Sequence, residues 1–198
     1  MEAGSDETRY VAMTMPPDDP AGEIDALQRR DERVLAAILE RDYPVTLQLA
    51  ALVDAGRARE RARAAWLELF QSGNVEGAPS LRTWLLRTVL TGQTLGQAEP
   101  ASAAADERFE ADDSLWAGHW AKTVAPWSDD RDWRRVVEGA LRELPPLVAA
   151  VVILLDVDRL PSEEVEAVLG LDSDEQRVLL HEGRTAVRDA LDGVGDAA

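Results

Sequence analysis

Apolar positions in this chain recur at helical spacing over most of its length, and no stretch carries the two-residue alternation of a strand. Ile24, Leu27, Val34, Leu35 and Ile38 repeat in this way with Arg and Asp/Glu between them, predicting a first helix that Tyr43-Pro44 interrupts. A second apolar run, Leu47, Leu49, Leu52 and Val53, ends at Gly56. From Ala58 to Phe70 the pattern predicts a strong helix with Ala62, Trp66 and Phe70 on one side, and Arg57, Arg59, Arg61 and Arg63 crowd its start. Gly73, Asn74, Gly77 and Pro79 make Gln71 to Pro79 a loop. Ser80 then caps a helix from Leu81 to about Leu90.

Beyond that helix the period is lost. Thr91 to Asp113 turns to Gly, Gln, Ala, Pro and acids, the composition of a linker. In the last third, an apolar helix (Val148 to Leu155) is broken by the polar stretch Asp156 to Pro161. A short helix opens on Ser162, a good N-cap, with Glu163 and Glu164 in its first turn, where acids suit the helix dipole. Leu169-Gly170-Leu171 makes a tight turn, and Ser173 starts a long final helix. On that helix Arg177, His181, Arg184 and Arg188 are spaced four, three and four, so they share one face beside an apolar stripe of Leu180, Val187 and Leu191. A narrow basic stripe on the second helix of a helix-turn-helix suits entry into a major groove. The predicted architecture is all-α. An acidic, disordered tail (1–20) precedes a helical domain (21–97), a flexible acidic linker (98–130) and a helix-turn-helix domain (131–192).

Composition narrows the chemistry. A chain of 198 residues allows one or two small domains with modest cores. No run of 18 apolar residues predicts a membrane span, and no basic-then-apolar start predicts a secretory signal. With no cysteine there is no disulfide framework and no thiol zinc site, and the two histidines, His119 and His181, have no carboxylate at metal-ligand spacing. No metal, cofactor or catalytic constellation is predicted, and the chain reads as a cytoplasmic non-enzyme.

Charge complicates a nucleic-acid role, because the formal net charge is −17. Residues 1–20 carry one base and five acids, and residues 21–97 carry ten of each. Residues 98–130 carry two bases and eight acids, and residues 131–198 carry eight and fifteen. Such acidity is either a solvated surface or a device that suppresses non-specific phosphate binding and competes for a basic partner.

The segment containing LRELPP, SEEVEAVLGL, QRVLLHEGR and AVRDAL resembles region 4 of extracytoplasmic-function sigma factors, a group of the bacterial sigma-70 type, which reads the −35 promoter element. Residues 57–90, with Trp66-Leu67 in one helix and Ser80-Leu81-Arg82-Thr83-Trp84-Leu85 opening the next, are similar to region 2 of the same group. The connector words DERF and WAGHWA…PW (Asp106 to Trp127) are similar to one actinobacterial-type subset, and the resemblance spans roughly Ile24 to Leu191.

This resemblance implies a protein that binds core RNA polymerase and promoter DNA, with an anti-sigma factor as a further partner. It assigns polymerase docking to Glu60, Arg63, Trp66 and Leu67, although large apolar residues at helical spacing also serve as core. It assigns the −10 element to Asn74, Arg82, Trp84 and Arg87, and the −35 element to Ser173, Gln176, Arg177, His181, Arg184 and Arg188. The chain departs from the group at Arg63 and Ala64, where Gln and Glu are usual, and at Glu182 and Ala186, where arginines are common. No basic residue lies between Arg87 and Arg108, and each lost phosphate contact weakens salt-dependent DNA affinity. A second expectation therefore stands beside the first: a sigma-like protein that works through protein contacts, as a polymerase modulator or an anti-sigma decoy, without melting promoters. The linker tryptophans Trp116, Trp120 and Trp127 are expected to pack on a domain or on polymerase.

Overall fold

The structure is a computed structural model that describes residues 20–75, 77–92, 95, 108–110, 119–121 and 133–195, with side chains through Gly193. The predicted disordered tail lies outside the described residues except for Pro20, as does most of the predicted linker. Among the described residues the fold is all-α, and the nearest thing to a strand is one isolated antiparallel bridge between Phe109 and Trp120. No described helix is long and apolar enough to cross a membrane.

The first two helices break where the apolar pattern did not predict it. Helix α1 (Pro20–Arg29) ends on Arg30, whose φ of 55° reverses the chain. Asp31 then caps α2 (Glu32–Val53) by accepting from the backbone N–H groups of Arg33 and Val34. The predicted interruption at Tyr43-Pro44 is absent, because α2 runs straight through Pro44. An interior proline costs about 3 kcal/mol relative to alanine. Here the ring points to solvent, while Ile38, Val45, Leu49 and Ala50 on the opposite face are buried against α3 and α4 and offset the lost bond. Tertiary packing wins over local propensity.

Helix α3 (Ala58–Ser72) follows its prediction closely and stops at Gly73, whose left-handed φ of 59° ends the helix. Helix α4 (Leu81–Leu90) starts as predicted, with the Ser80 hydroxyl accepting from the Thr83 N–H at 3.0 Å. After the connector come α5 (Trp133–Glu143) and α6 (Pro146–Val152), which continues as a π-helical turn over Ile153–Val157. Helices α7 (Ser162–Leu169) and α8 (Ser173–Gly195) complete the chain.

The two segments expected to be separate domains are in contact. One apolar cluster takes Leu49, Trp66, Leu85 and Val89 from the first segment and Ile153, Leu154, Leu160, Val165 and Val168 from the second. Helix α7 lies on α4, and α6 lies on α2. A smaller cluster of Val148, Val151 and Leu179 joins α6 to α8. Their approach is close at Gly183, where an added Cβ would stand 2.2 Å from Val152 Cγ2.

Charge also bridges the segments. Asp42, fully buried on α2, accepts two hydrogen bonds from Arg41, both at 2.7 Å, and lies 3.5 Å from Arg82 of α4. Arg41 also reaches buried Glu23 of α1 at 2.6 Å, and Arg82 pairs with Asp158, just beyond the π turn. The hydrogen-bonded Asp42 carboxylate holds the Arg41 guanidinium above its usual range, with Glu23 adding to the effect against the opposing influence of burial. Two buried carboxylates that share one half-buried cation are costly to strand, since without it they are buried charges short of a partner.

Candidate nucleic-acid interface

Helices α7 and α8 and the turn between them form where the sequence placed them, by local means that differ in one detail. Gly170, at a left-handed φ of 72°, closes α7, and its N–H donates to the Glu166 carbonyl at 2.8 Å. Helix α8 starts at Ser173 as expected, and Asp172 caps it with a carboxylate that accepts from the Asp174 and Glu175 N–H groups. Glu175 returns the favour by accepting from the Asp172 N–H at 2.9 Å, a reciprocal capping box. Ser162, predicted to cap α7, is instead its first residue and donates from its hydroxyl to Gln176 Oε1 at 2.8 Å.

That bond redefines Gln176. Nominated as a DNA-reading side chain, it is 2% exposed and spans the turn, its amide donating to the carbonyls of Ser162 and Leu171 at 3.1 and 2.8 Å. Gln176 is a strut that fixes α8 against α7, and a buried amide with its donors and acceptor engaged has nothing left for a base.

The basic stripe of α8 divides. Ser173 and Arg177 are exposed, and Arg177 lies 4.0 Å from Asp174. The other three side chains of the stripe are less exposed. Arg184 donates to both Asp156 oxygens at 2.6 and 2.8 Å and is only 15% exposed. Arg188 donates to Asp192 at 3.0 Å, lies 5.5 Å from the centre of the Trp120 ring and is 12% exposed. His181 packs on Phe109 with ring centroids 4.4 Å apart. The expectation of a solvent-facing ridge through Arg184 and Arg188 is corrected: acids of the same chain hold both.

Of the residues nominated for the −10 element, both arginines are engaged within the molecule, although Arg87 is exposed. Arg82 is held between Asp42 and Asp158. Arg87 bridges the segments by donating to the carbonyls of Gly77, at 2.8 Å, and Ala167, near the C-terminus of α7 where carbonyls lack helical partners. Trp84 packs half-buried at the edge of the core, and Asn74 is exposed in the loop after α3. Together, Arg82 and Arg87 act as ties between α4 and the helix-turn-helix.

On α3 the picture reverses. Trp66, nominated for polymerase docking, is 3% exposed and belongs to the core, its indole Nε1 without an acceptor among the described residues. Glu60, Arg63 and Leu67 are exposed, and Leu67 is joined on the outer face by Phe70, which the periodicity had set on the Trp66 side. Phe70 tilts against Trp66 at 5.6 Å yet remains 37% exposed. Its spacing of three from Leu67 was the available signal. Glu60 accepts from Arg57 at 2.8 and 3.1 Å, which lowers its carboxyl below the usual range.

Sequence reasoning also missed Asp156 and Asp158, which it took for a polar break between helices. They are the counter-charges of Arg184 and Arg82. Among the described residues no group of His, Asp and Glu is placed to hold a metal ion. No protein-family profile and no solved structure matches the chain.

Proposed function

We propose that the chain is an RNA polymerase sigma factor of the extracytoplasmic-function type, which binds core polymerase and directs promoter recognition in transcription initiation. The observation that supports this reading most is the α7–Gly170–α8 unit, whose strut and capping box present the start of α8, with Ser173 and Arg177, at the surface. Polymerase docks on the outer face of α3 through Arg63, Leu67 and Phe70. Promoter DNA meets α8 and the loop bearing Asn74. The action is binding without a covalent step, it takes place in the cytoplasm with polymerase, and an anti-sigma factor opposes it by covering either face.

A second reading is favoured by one specific observation: Arg82, Arg87, Arg184 and Arg188 are all used inside the molecule. In that reading the chain is a sigma-like protein that contacts polymerase, or an anti-sigma factor, without opening promoters. Run-off transcription with purified core polymerase on promoter libraries, with polymerase pull-down alongside, separates the two. Transcripts from defined start sites support the first reading, and capture of polymerase without transcripts supports the second. Leu67→Asp is expected to abolish capture in either case; undiminished capture would remove α3 from the proposal.

A further inference from the structure

We propose that the paired segments 108–110 and 119–121 form a self-inhibitory strap on α8, competing with duplex DNA for the side chains of His181 and Arg188. The inference rests on the reading of α8 as a DNA-reading helix.

Four kinds of contact carry it. The segments are joined to each other by the Glu110 N–H donating to the His119 carbonyl and the Ala121 N–H donating to the Arg108 carbonyl, both at 2.8 Å. Phe109, only 8% exposed, lies against the His181 ring at 4.4 Å. The Arg188 guanidinium stands over the Trp120 ring at 5.5 Å, an attraction between a cation and the negative face of an indole. Arg108 pairs with Asp189 on the same helix. The strap thus covers residues 181 to 189, about two turns of α8.

Those turns carry three of the four side chains of the basic stripe, and the strap touches two of them, His181 and Arg188. A ring in van der Waals contact with His181 occupies the space a base edge or phosphate would need, and Trp120 covers one face of an Arg188 side chain that is only 12% exposed, which narrows the approach of a phosphate to it. The strap recruits its own cation, Arg108, to an acid of α8, so docking neutralises a carboxylate that would repel DNA while hiding the cation that would attract it. Its hold is incomplete in one respect: the Trp120 indole Nε1 is buried without an acceptor among the described residues. A strap that buries an unsatisfied donor is suited to release. The apparent affinity of a site that is open only part of the time falls by the open fraction, so a strap docked nine-tenths of the time weakens DNA binding about tenfold.

The test uses the full chain and a short random-sequence duplex pool at low salt, read by fluorescence anisotropy, with amide hydrogen exchange at Glu110 and Ala121 and far-ultraviolet circular dichroism as a check on helix content. Phe109→Ala with Trp120→Ala is expected to lose protection at both amides, keep its helix content and bind the pool about tenfold more tightly. Adding Arg188→Ala to that background is expected to reverse the gain. Lost protection with unchanged or weaker DNA binding overturns the proposal. Should the double variant lose helix content, Phe109→Ala alone removes the ring from His181 without changing the charge and is expected to tighten binding by a smaller factor; no tightening there overturns the strap as well. Tighter DNA binding without run-off transcripts leaves the strap standing and overturns the sigma reading. Transcripts from the wild type with no tightening on release do the opposite.

Discussion

Helices α3 and α8 were both nominated as binding surfaces, and they treat their nominated side chains in opposite ways. On α3 the core takes Ala62, Ala65, Trp66 and Leu69, while Arg63, Leu67 and Phe70 face outward. On α8 the core takes Gln176, Leu179, Val187 and Leu191, yet the neighbouring stripe is occupied too, by Asp156, Asp192, Phe109 and Trp120. A cation at helical spacing is therefore not open merely by position, since an acid from its own helix, as at Arg188, or from another element, as at Arg184, can hold it. In this strongly acidic chain, cations are scarce, and the fold spends several of them on itself.

The contrast is most sharply tested where internal cations hold the structure. Arg41→Met strands the carboxylates of Glu23 and Asp42, with Arg82 left as a partner for Asp42 alone, and is expected to cost about 3–5 kcal/mol in urea unfolding. A cost like that of a surface substitution would show that the network contributes little. Gly183→Ala forces a methyl against Val152 where α8 meets α6, and a loss of about 1–3 kcal/mol is expected from overpacking. An unchanged melting temperature would mean the two helices separate at no cost.

Arg184→Ala and Arg63→Ala form the direct pair. The first breaks a two-pronged bond to Asp156 and is expected to destabilise by about 1–2 kcal/mol. The second, on the outer face of α3, is expected to stay within about 0.5 kcal/mol. Equal effects in thermal melts would erase the distinction between the helices. The smallest effect concerns Glu60. Its folded-state pKa is depressed by Arg57, so the stability it contributes is present above the ordinary carboxylate range and is lost as pH falls through the depressed value. The gap between wild type and Glu60→Gln in unfolding midpoint is therefore expected to close on acidification, and a gap that widens would contradict the assigned cause.

What was legible in the sequence was local. The Ser80 cap, the start of α3 and the turn at Gly170 each depend on residues within a few positions and appear where the pattern put them, while α3 runs two residues past its expected end at Phe70 to stop at Gly73. The break between α1 and α2 was misplaced because Pro44 is a strong local signal that a buried helix face overrides, while Asp31 is a quiet one. The functional stripe was misread for a different reason. Arg82 finds Asp158 and Arg184 finds Asp156 across 76 and 28 positions, separations no periodicity reports. Gln176 was read as reaching outward because its spacing said so, whereas its amide matched three polar groups on the turn it braces. The shared core of the two segments was equally hidden, since Leu85 and Val165 reveal that they are apolar but not what they meet.

Arginine-specific covalent labelling of the folded full chain, followed site by site with mass spectrometry, tests the central contrast most directly. Arg59 and Arg63 on α3 are expected to react at the rate of exposed guanidinium groups, and Arg184 and Arg188 on α8 slower by about an order of magnitude, their access limited by local opening. Equal rates at all four would contradict the account, because these two cations of α8 would then be as open to solvent as those on the outer face of α3.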